Sequence, residues 1–241
     1  MKTKFLVLLS ILSGNLVSGQ DLEGSWRLLA IDEQPIDEKT IRIYQDGYFA
    51  SASWDTLSSG FKGAEGGEFE LDEVYRETYD FNTRDTSLVG LPLEYEVEFE
   101  GDEMTLYAED GTSYTWERIS DESDDLEGNW VITGRKRNGE ISRSTPGARR
   151  TIKILGGGRF QWVAFNSETK EFFGSGGGTY TSEDGSYVEN LEFFSRDSTR
   201  VGARLPFQYE LKEGQWHHSG KSSKGEPLYE IWSPYQEAYK E

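Results

Sequence analysis

Asp21-Leu22-Glu23-Gly24-Ser25-Trp26 recurs, with a single change, as Asp125-Leu126-Glu127-Gly128-Asn129-Trp130. Each copy is followed by short segments in which apolar and polar residues alternate, separated by turns such as Asp46-Gly47 and Asp184-Gly185. Alternation with a period of two is typical of strands that bury one face, and Asp-Gly pairs are typical of hairpin turns. The chain is therefore predicted to contain one β-rich module twice.

The number of strands predicts how each module closes. The alternating segments predict about eight short strands in each copy, and eight antiparallel strands can form a barrel that holds one small ligand. A two-sheet sandwich is the alternative. We therefore predict an all-β protein of two tandem antiparallel up-and-down β-barrels. They are placed at residues 20–120 and 125–241, with an acidic linker at 121–124.

The N-terminus is expected to be a secretory signal peptide that covers residues 1–19. Lys2 and Lys4 precede an apolar run at 5–12, and small residues then lead to Gly19. A membrane-spanning helix needs about 20 apolar residues, so no membrane span is expected. The chain has no Cys, which excludes a lipoprotein anchor, disulfides and thiol catalysis. The mature protein is expected to begin at Gln20 and to be periplasmic or secreted.

Charge is distributed unevenly between the modules. Residues 20–124 contain 28 acidic and 7 basic residues, a net charge of −21, whereas residues 125–241 contain 16 of each. Nucleic acid is therefore not expected as a partner. Basic residues are concentrated in one part of the second module, namely Arg135, Lys136, Arg137, Arg143, Arg149, Arg150 and Lys153. Intramolecular docking of this basic loop against the acidic first module is one prediction. Capture of an anionic ligand or glycan, and a solvated loop, are the alternatives.

The two copies match beyond their opening residues. A hairpin at Asp46-Gly47-Tyr48-Phe49, a Gly-Gly turn at Gly66-Gly67 and a Tyr-x-Glu strand from Tyr75 follow the Gly-x-Trp opening. Each feature has a counterpart, in the same order, in the second copy. In these features both repeats resemble the lipocalin-like domain proteins that Gram-negative bacteria export. The resemblance implies barrels that hold a small apolar molecule.

Candidate ligand-binding residues lie mainly on the Tyr-x-Glu strand of each copy. Side chains two residues apart share one face of a strand, and an aromatic face is normally the inner one. The predicted inner residues are Tyr75, Glu77, Tyr79, Phe81 and Tyr95 in the first barrel, and Tyr187, Glu189, Phe193 and Tyr209 in the second. A carboxylate among aromatic rings must find a partner or stay neutral. Each Glu is therefore expected to anchor a ligand, to pair with a buried Arg, or to lie outward near a rim.

Two further motifs are interpreted as structural. The first comprises the Gly-x-Trp openings at Gly24, Trp26, Gly128 and Trp130. The family resemblance implies that each Trp plugs the closed end of its barrel. The second motif comprises Arg84-Asp85 and Arg196-Asp197, each flanked by hydroxyl residues, which predicts a turn in which Asp accepts hydrogen bonds from nearby backbone N–H groups. An Arg that faces the mouth and binds a ligand carboxylate is the alternative.

No catalytic motif is recognised in the sequence. His217 and His218 are the only His residues, and adjacent strand residues face opposite ways, so neither a metal site nor a cofactor is expected. We expect a non-catalytic exported protein that holds a small apolar or amphipathic ligand in one or both barrels. One alternative is a structural module with solid barrel cores that binds protein or glycan by its surface. Another is an enzyme that uses Glu77 or Glu189 as a base.

Overall fold

The computed structural model describes residues 22–221 and 225–239, and the predicted signal peptide lies outside these residues. Two nine-stranded antiparallel sheets contain most of the described chain. The first consists of β1 (Gly24–Ile31), β2 (Gln34–Pro35), β3 (Lys39–Gln45), β4 (Tyr48–Trp54), β5 (Phe61–Leu71), β6 (Tyr75–Asn82), β7 (Pro92–Glu100), β8 (Glu103–Ala108) and β9 (Ser113–Ser120). The second consists of β10 (Gly128–Arg137), β11 (Glu140–Arg143), β12 (Arg149–Gly156), β13 (Arg159–Asn166), β14 (Glu171–Glu183), β15 (Ser186–Phe194), β16 (Arg204–Lys212), β17 (Gln215–Lys221) and β18 (Pro227–Pro234).

Each sheet closes on itself. Strand β1 pairs with β9, and β10 pairs with β18, so both repeats form closed antiparallel barrels of eight strands. The predicted fold class is therefore confirmed. Strands β2 and β11 are additional and pair with the ends of β1 and β10. They contain two and four residues, which is too short to show a clear alternation in the sequence.

The Gly-x-Trp openings close one end of each barrel. Trp26 and Trp130 are buried, and each indole Nε1 donates a hydrogen bond of 2.8 Å to the carbonyl oxygen four residues earlier. Gly24 has a φ of 115°, and a Cβ there would lie 2.4 Å from the carbonyl oxygen of Ser120. Gly adopts this backbone conformation readily, and it lacks the Cβ that would clash with the neighbouring strand. The open end of the first barrel is formed by the connections at 32–38, 55–60, 83–91 and 109–112.

A β-bulge turns the end of each Tyr-x-Glu strand outward. Tyr79 and Phe81 pair with consecutive glycines of β5, so Asp80 is an extra residue on β6. An equivalent register shift precedes Phe193 on β15. An extra residue reverses the alternation of side chains. Phe81 and Phe193 therefore lie on the outer faces, and the prediction that they line the barrel interiors is wrong.

These outer faces pack against each other. A single buried apolar cluster includes residues of both barrels. Within it the ring of Phe81 lies 5.0 Å from that of Phe165, and Trp54 stacks 5.0 Å from Phe193. Strands β3 and β12 are consequently buried on both faces for most of their length. Aliphatic and aromatic contacts thus dominate the interface between the barrels.

The barrels stand side by side and open in the same direction. Near the closed ends, the hydroxyl of Ser25 donates a hydrogen bond of 3.1 Å to the carbonyl oxygen of Gly157. Near the mouths, Phe61 and Phe172 stack with 5.9 Å between ring centres and an angle of 3° between ring planes. The closed ends meet each other and the mouths meet each other, so both cavities face the same side of the molecule.

A crowded carboxylate lies at the junction of the barrels. Burial, together with the nearby carboxylates of Asp124, Glu23 and Asp46, raises the pKa of Glu127 to about 7. Protonation of Glu127 therefore favours the folded state. Its contribution is complete below the ordinary pKa of 4.5 and is lost as the pH rises through 7. We expect Glu127→Gln to stabilise the protein at about pH 8, by less than ~1 kcal/mol because the side chain is partly exposed to screening water.

The measurement is the midpoint of thermal unfolding at about pH 8 and at about pH 3.5, where Glu127 is neutral in both the folded and the unfolded state and is equivalent to Gln. Glu122→Gln is the matched control, since Glu122 is exposed in the linker. We expect this control to leave the midpoint unchanged at both pH values. Equal shifts for the two variants would contradict the role of Glu127.

Candidate functional site

Each barrel is filled at its closed end and open at its mouth. The first contains a cavity of about 1460 Å³, here cavity 1, and the second contains one of about 850 Å³, here cavity 2. One pair of equivalent positions contributes to this difference. Ser51 on β4 lines cavity 1, whereas Trp162 lines cavity 2 at the corresponding position of β13. The indole ring occupies space that the serine side chain leaves open.

The floor of cavity 1 is a buried network around Glu77, which is 2% exposed. Its Oε2 accepts hydrogen bonds from Arg42 at 3.1 Å and from Tyr75 at 2.9 Å. Its Oε1 accepts from Tyr79 at 2.5 Å and from Tyr95 at 3.2 Å. Burial and the neighbouring carboxylate raise the pKa of all three phenols, which therefore remain protonated donors. Glu77 therefore pairs with a buried Arg, which is one of the alternatives that the sequence predicted for this motif.

Arg42 is held between aromatic rings and a second carboxylate. Its guanidinium carbon lies 4.5 Å from the ring centres of Phe49 and of Trp116, which is cation–π geometry. Its Nη2 donates a hydrogen bond of 3.0 Å to Glu65, whose side chain is partly exposed in the cavity wall. Burial raises the pKa of Glu65, because desolvation outweighs the attraction of Arg42. Glu65 and Glu77 both line cavity 1, and Glu65 is the more exposed of the two carboxylates.

The second barrel repeats the buried pair with a lysine. Lys153 occupies the position of Arg42, since each lies across from the Trp of its Gly-x-Trp opening. Its Nζ donates a hydrogen bond of 2.6 Å to Glu189, and both side chains are 6% exposed. The rings of Tyr187 and Trp216 lie 5.3 and 5.2 Å from the ammonium group. Lys153 therefore belongs to the barrel interior rather than to the predicted basic loop.

His218 brings a polar side chain without a hydrogen-bond partner to cavity 2. It is 2% exposed, and its ring lies 4.3 Å from that of Phe207. Its Nδ1 is 3.6 Å from Glu230, too far for a hydrogen bond, and neither ring nitrogen has a hydrogen-bond partner. Burial lowers the pKa of His218 and favours the neutral ring. His217 faces the other way and contacts Tyr229 at 2.7 Å, as the strand alternation predicted.

The Arg-Asp motifs form turns beside the mouths. Asp85 and Asp197 each accept a hydrogen bond from the backbone N–H two residues later, at 2.9 and 3.0 Å. The predicted turn chemistry is therefore confirmed. Arg84 pairs with Glu38, and Arg196 donates a 2.7 Å hydrogen bond to a carbonyl oxygen of β14. Both Arg side chains also line the mouths of their cavities, so a structural role leaves them within reach of a ligand.

The structure separates the predicted ligand residues other than Tyr209 into three groups. Those that line a cavity are Glu77, Tyr79, Tyr95 and Glu189. Tyr75 and Tyr187 are fully buried in the cores of their barrels, where they contact other aromatic rings. Phe81 and Phe193 contact the opposite barrel.

Tyr209 does not line cavity 2. Tyr75, the first residue of the Tyr-x-Glu motif in the first barrel, pairs with Tyr95 on β7. Its counterpart Tyr187 pairs with Phe207 on β16. Tyr209 lies two residues further along, and its hydroxyl donates a hydrogen bond of 2.8 Å to Asp125. The prediction that Tyr209 lines the interior of the second barrel is therefore wrong: the connections at 83–91 and 195–203 have the same length, so the counterpart of Tyr95 is Phe207.

Several residues of the site were not predicted. Arg42 lies between Ile41 and Ile43 in the sequence. The two β-branched side chains share one face of the strand, and their apolar character predicts that this face points into the barrel. In the structure Ile41 and Ile43 contact the other barrel, so the polar face points inward. The sequence feature that could have identified the inner face is a basic residue at equivalent positions of the two copies, Arg42 and Lys153. No comparable signal marked His218 as a residue of cavity 2.

In the described ranges, 22–221 and 225–239, no three His, Asp or Glu residues are grouped so that they could hold a metal ion. The same residues contain no helix that is long and apolar enough to cross a membrane. No family model matches the chain, and no curated protein matches it. The function is therefore inferred from the geometry of the two cavities.

Proposed function

We propose that the protein is a non-catalytic carrier that holds a small apolar or amphipathic molecule in the open half of its barrels. The observation that carries the proposal is the pair of preformed cavities of about 1460 and 850 Å³. Concave, largely preformed cavities with apolar walls and a few polar groups are typical of small-molecule sites. Burial of apolar ligand surface would supply the binding free energy, about 25 cal/mol per Å².

In cavity 1, the polar anchor is proposed to be the carboxylate of Glu65, and the ring of Tyr95 is proposed to contact the ligand beside it. The walls around them include Leu28, Leu93 and Leu106. An apolar group can pack on these side chains while a ligand hydroxyl or amine approaches the partly exposed carboxylate of Glu65. This arrangement orients a ligand without requiring the buried floor to open.

The proposal assigns no catalytic role to Glu77 or Glu189. A general base needs a free lone pair within reach of the substrate proton. Both oxygens of Glu77 already accept hydrogen bonds from Tyr and Arg side chains. Glu189 lies 2.6 Å from the ammonium group of Lys153. These contacts favour a structural role for both carboxylates.

We also propose that the two barrels dock as one unit and that the chain is exported. Docking is supported by the shared apolar cluster and by the contact of 2.6 Å between Arg150 and Asp80, which joins a residue of the predicted basic loop to the first barrel. Export is supported by the signal-peptide pattern at residues 1–19 and by the resemblance to exported lipocalin-like proteins. The intact mass of the exported protein tests the cleavage site, because it should equal the mass of a chain that begins at Gln20.

Filling cavity 1 is expected to remove one binding site. Native mass spectrometry with dodecanol, a neutral amphipath, should show two bound molecules per chain, one in each cavity. Ser51→Trp places in cavity 1 the residue that the second barrel has at this position. We expect this variant to bind one molecule, because the indole occupies the volume that the alkyl chain needs.

Ser123→Trp is the matched control, because Ser123 is exposed in the linker, away from the mouth of cavity 1. It should bind two molecules, as the unmodified protein does. Circular dichroism establishes that Ser51→Trp remains folded. Absence of dodecanol uptake by the unmodified protein would overturn the carrier proposal and favour solid cores with a surface partner. Undiminished uptake by folded Ser51→Trp would show that cavity 1 is not the site.

A further inference from the structure

The two cavities are oppositely charged. Among the described residues that line cavity 2, eight are basic and two are acidic, for a net charge of +6: Arg135, Arg137, Arg149, Arg150, Lys153, Arg196, Arg200 and Lys221 against Glu189 and Glu230. In cavity 1 the ratio is reversed, for a net charge of −6: Glu38, Glu65, Glu77, Asp85, Glu94, Glu96, Glu109 and Asp110 against Arg42 and Arg84.

The acidic groups of cavity 2 already face cations. Glu189 contacts Lys153 at 2.6 Å, and Glu230 contacts Arg135 at 3.3 Å. Among the described residues, these two are the only carboxylates that line cavity 2. The positive charge at its mouth is therefore not balanced by acidic groups of the cavity itself.

Arg149 and Arg137 are placed to receive an anion at the mouth. Both side chains are exposed, and both line cavity 2. The guanidinium carbon of Arg149 lies 4.5 Å from the ring centre of Phe173, which holds the group beside an apolar wall. A guanidinium group presents a planar set of donors that matches an oxyanion.

We propose that cavity 2 selects an anionic amphipath, whereas cavity 1 rejects it. The oxyanion head group, a carboxylate or a phosphate monoester, lies at the mouth between Arg137 and Arg149. The apolar tail packs inside the barrel against Leu205, Phe207 and Trp232. This inference rests on the proposed carrier function and adds the chemical class of the ligand of one barrel.

The test compares four probes that share one alkyl chain and differ in head group: dodecanoate, dodecyl phosphate, dodecanol and dodecylammonium. Each is titrated calorimetrically into the purified protein below its critical micelle concentration. We expect one molecule of dodecanoate or of dodecyl phosphate to bind per chain, at least about tenfold more tightly than dodecanol binds cavity 2. The tighter of the two anions identifies the head group that the mouth prefers.

Variants assign the site. Arg137→Gln/Arg149→Gln should weaken dodecanoate at least about tenfold and leave dodecanol unchanged. Arg27→Gln is the control for removal of an exposed Arg, since Arg27 lies on the first barrel away from cavity 2. Ser51→Trp, which fills cavity 1, should leave dodecanoate binding intact.

The outcomes separate this inference from the carrier proposal. Equal affinities for dodecanoate and dodecanol, or dodecanoate binding that is unaffected by the double Arg variant, would overturn the inference while the carrier proposal stands. Loss of dodecanoate binding in folded Ser51→Trp would also overturn it, because the anion would then occupy cavity 1. Failure of every probe to bind would overturn both.

Discussion

Arg42→Met is expected to lower the free energy of unfolding by about 3–5 kcal/mol. The substitution leaves Glu77 buried at 2% exposure without its cation and removes the cation beside Glu65. A buried charge that loses its partner keeps the full cost of desolvation, which is why the loss exceeds that of a surface pair. Chemical denaturation of the purified protein measures the change.

A second substitution should reverse most of this loss. Arg42→Met/Glu77→Gln removes the buried negative charge. The carbonyl oxygen of Gln can accept from the Tyr79 and Tyr95 hydroxyls at the position of Oε1, while its amide nitrogen can donate to the Tyr75 hydroxyl. Arg76→Met is the surface control, because Arg76 pairs with Glu94 on the solvent-exposed outer face of the same barrel and should cost less than about 1 kcal/mol. A loss for Arg42→Met no larger than that of the control would refute the account of the network.

Trp54→Ala is expected to destabilise the whole chain by about 3–5 kcal/mol, the range for removal of a buried aromatic side chain. Trp54 is 4% exposed, although it lies on the outer face of its barrel, because it stacks on Phe193 of the other barrel. Its loss leaves a void between the barrels. We therefore also expect thermal unfolding to separate into two transitions, one for each barrel.

Calorimetry of the variant and of the unmodified protein measures both effects. Leu57→Ala is the control, since Leu57 is 98% exposed on the neighbouring connection and its removal should change nothing. The interface is mainly apolar, so its stability should depend only weakly on ionic strength. A single unshifted transition in Trp54→Ala would show that the stacked rings do not couple the barrels. A steep dependence on salt would instead assign the docking to Arg150 and Asp80.

The sequence predicted the architecture because period-two alternation and turn residues are local signals. Both barrels, their strand number and the turn chemistry at Asp85 and Asp197 follow from patterns within about ten residues of chain. The Gly-x-Trp opening was also informative, because Gly24 needs a backbone conformation that other residues rarely adopt.

The details of the site depended on information that is not local. A single bulge at Asp80 moves Phe81 from the predicted inner face to the interface, and no residue pattern marks the bulge. Ile41 and Ile43 are buried by the second barrel rather than by the interior of their own, so apolar character did not identify the inner face of β3. Once that face is reversed, the inward position of Arg42 follows.

The shared apolar face has a consequence for how such a chain can evolve. Among the described residues, each barrel has an apolar patch that the other barrel covers, and an uncovered patch of this kind promotes aggregation. Deletion of either copy would expose the apolar patch of the other, so the two copies are retained together. Selection that maintains one cavity thereby preserves the second barrel as well, and leaves its cavity free to diverge in size and charge.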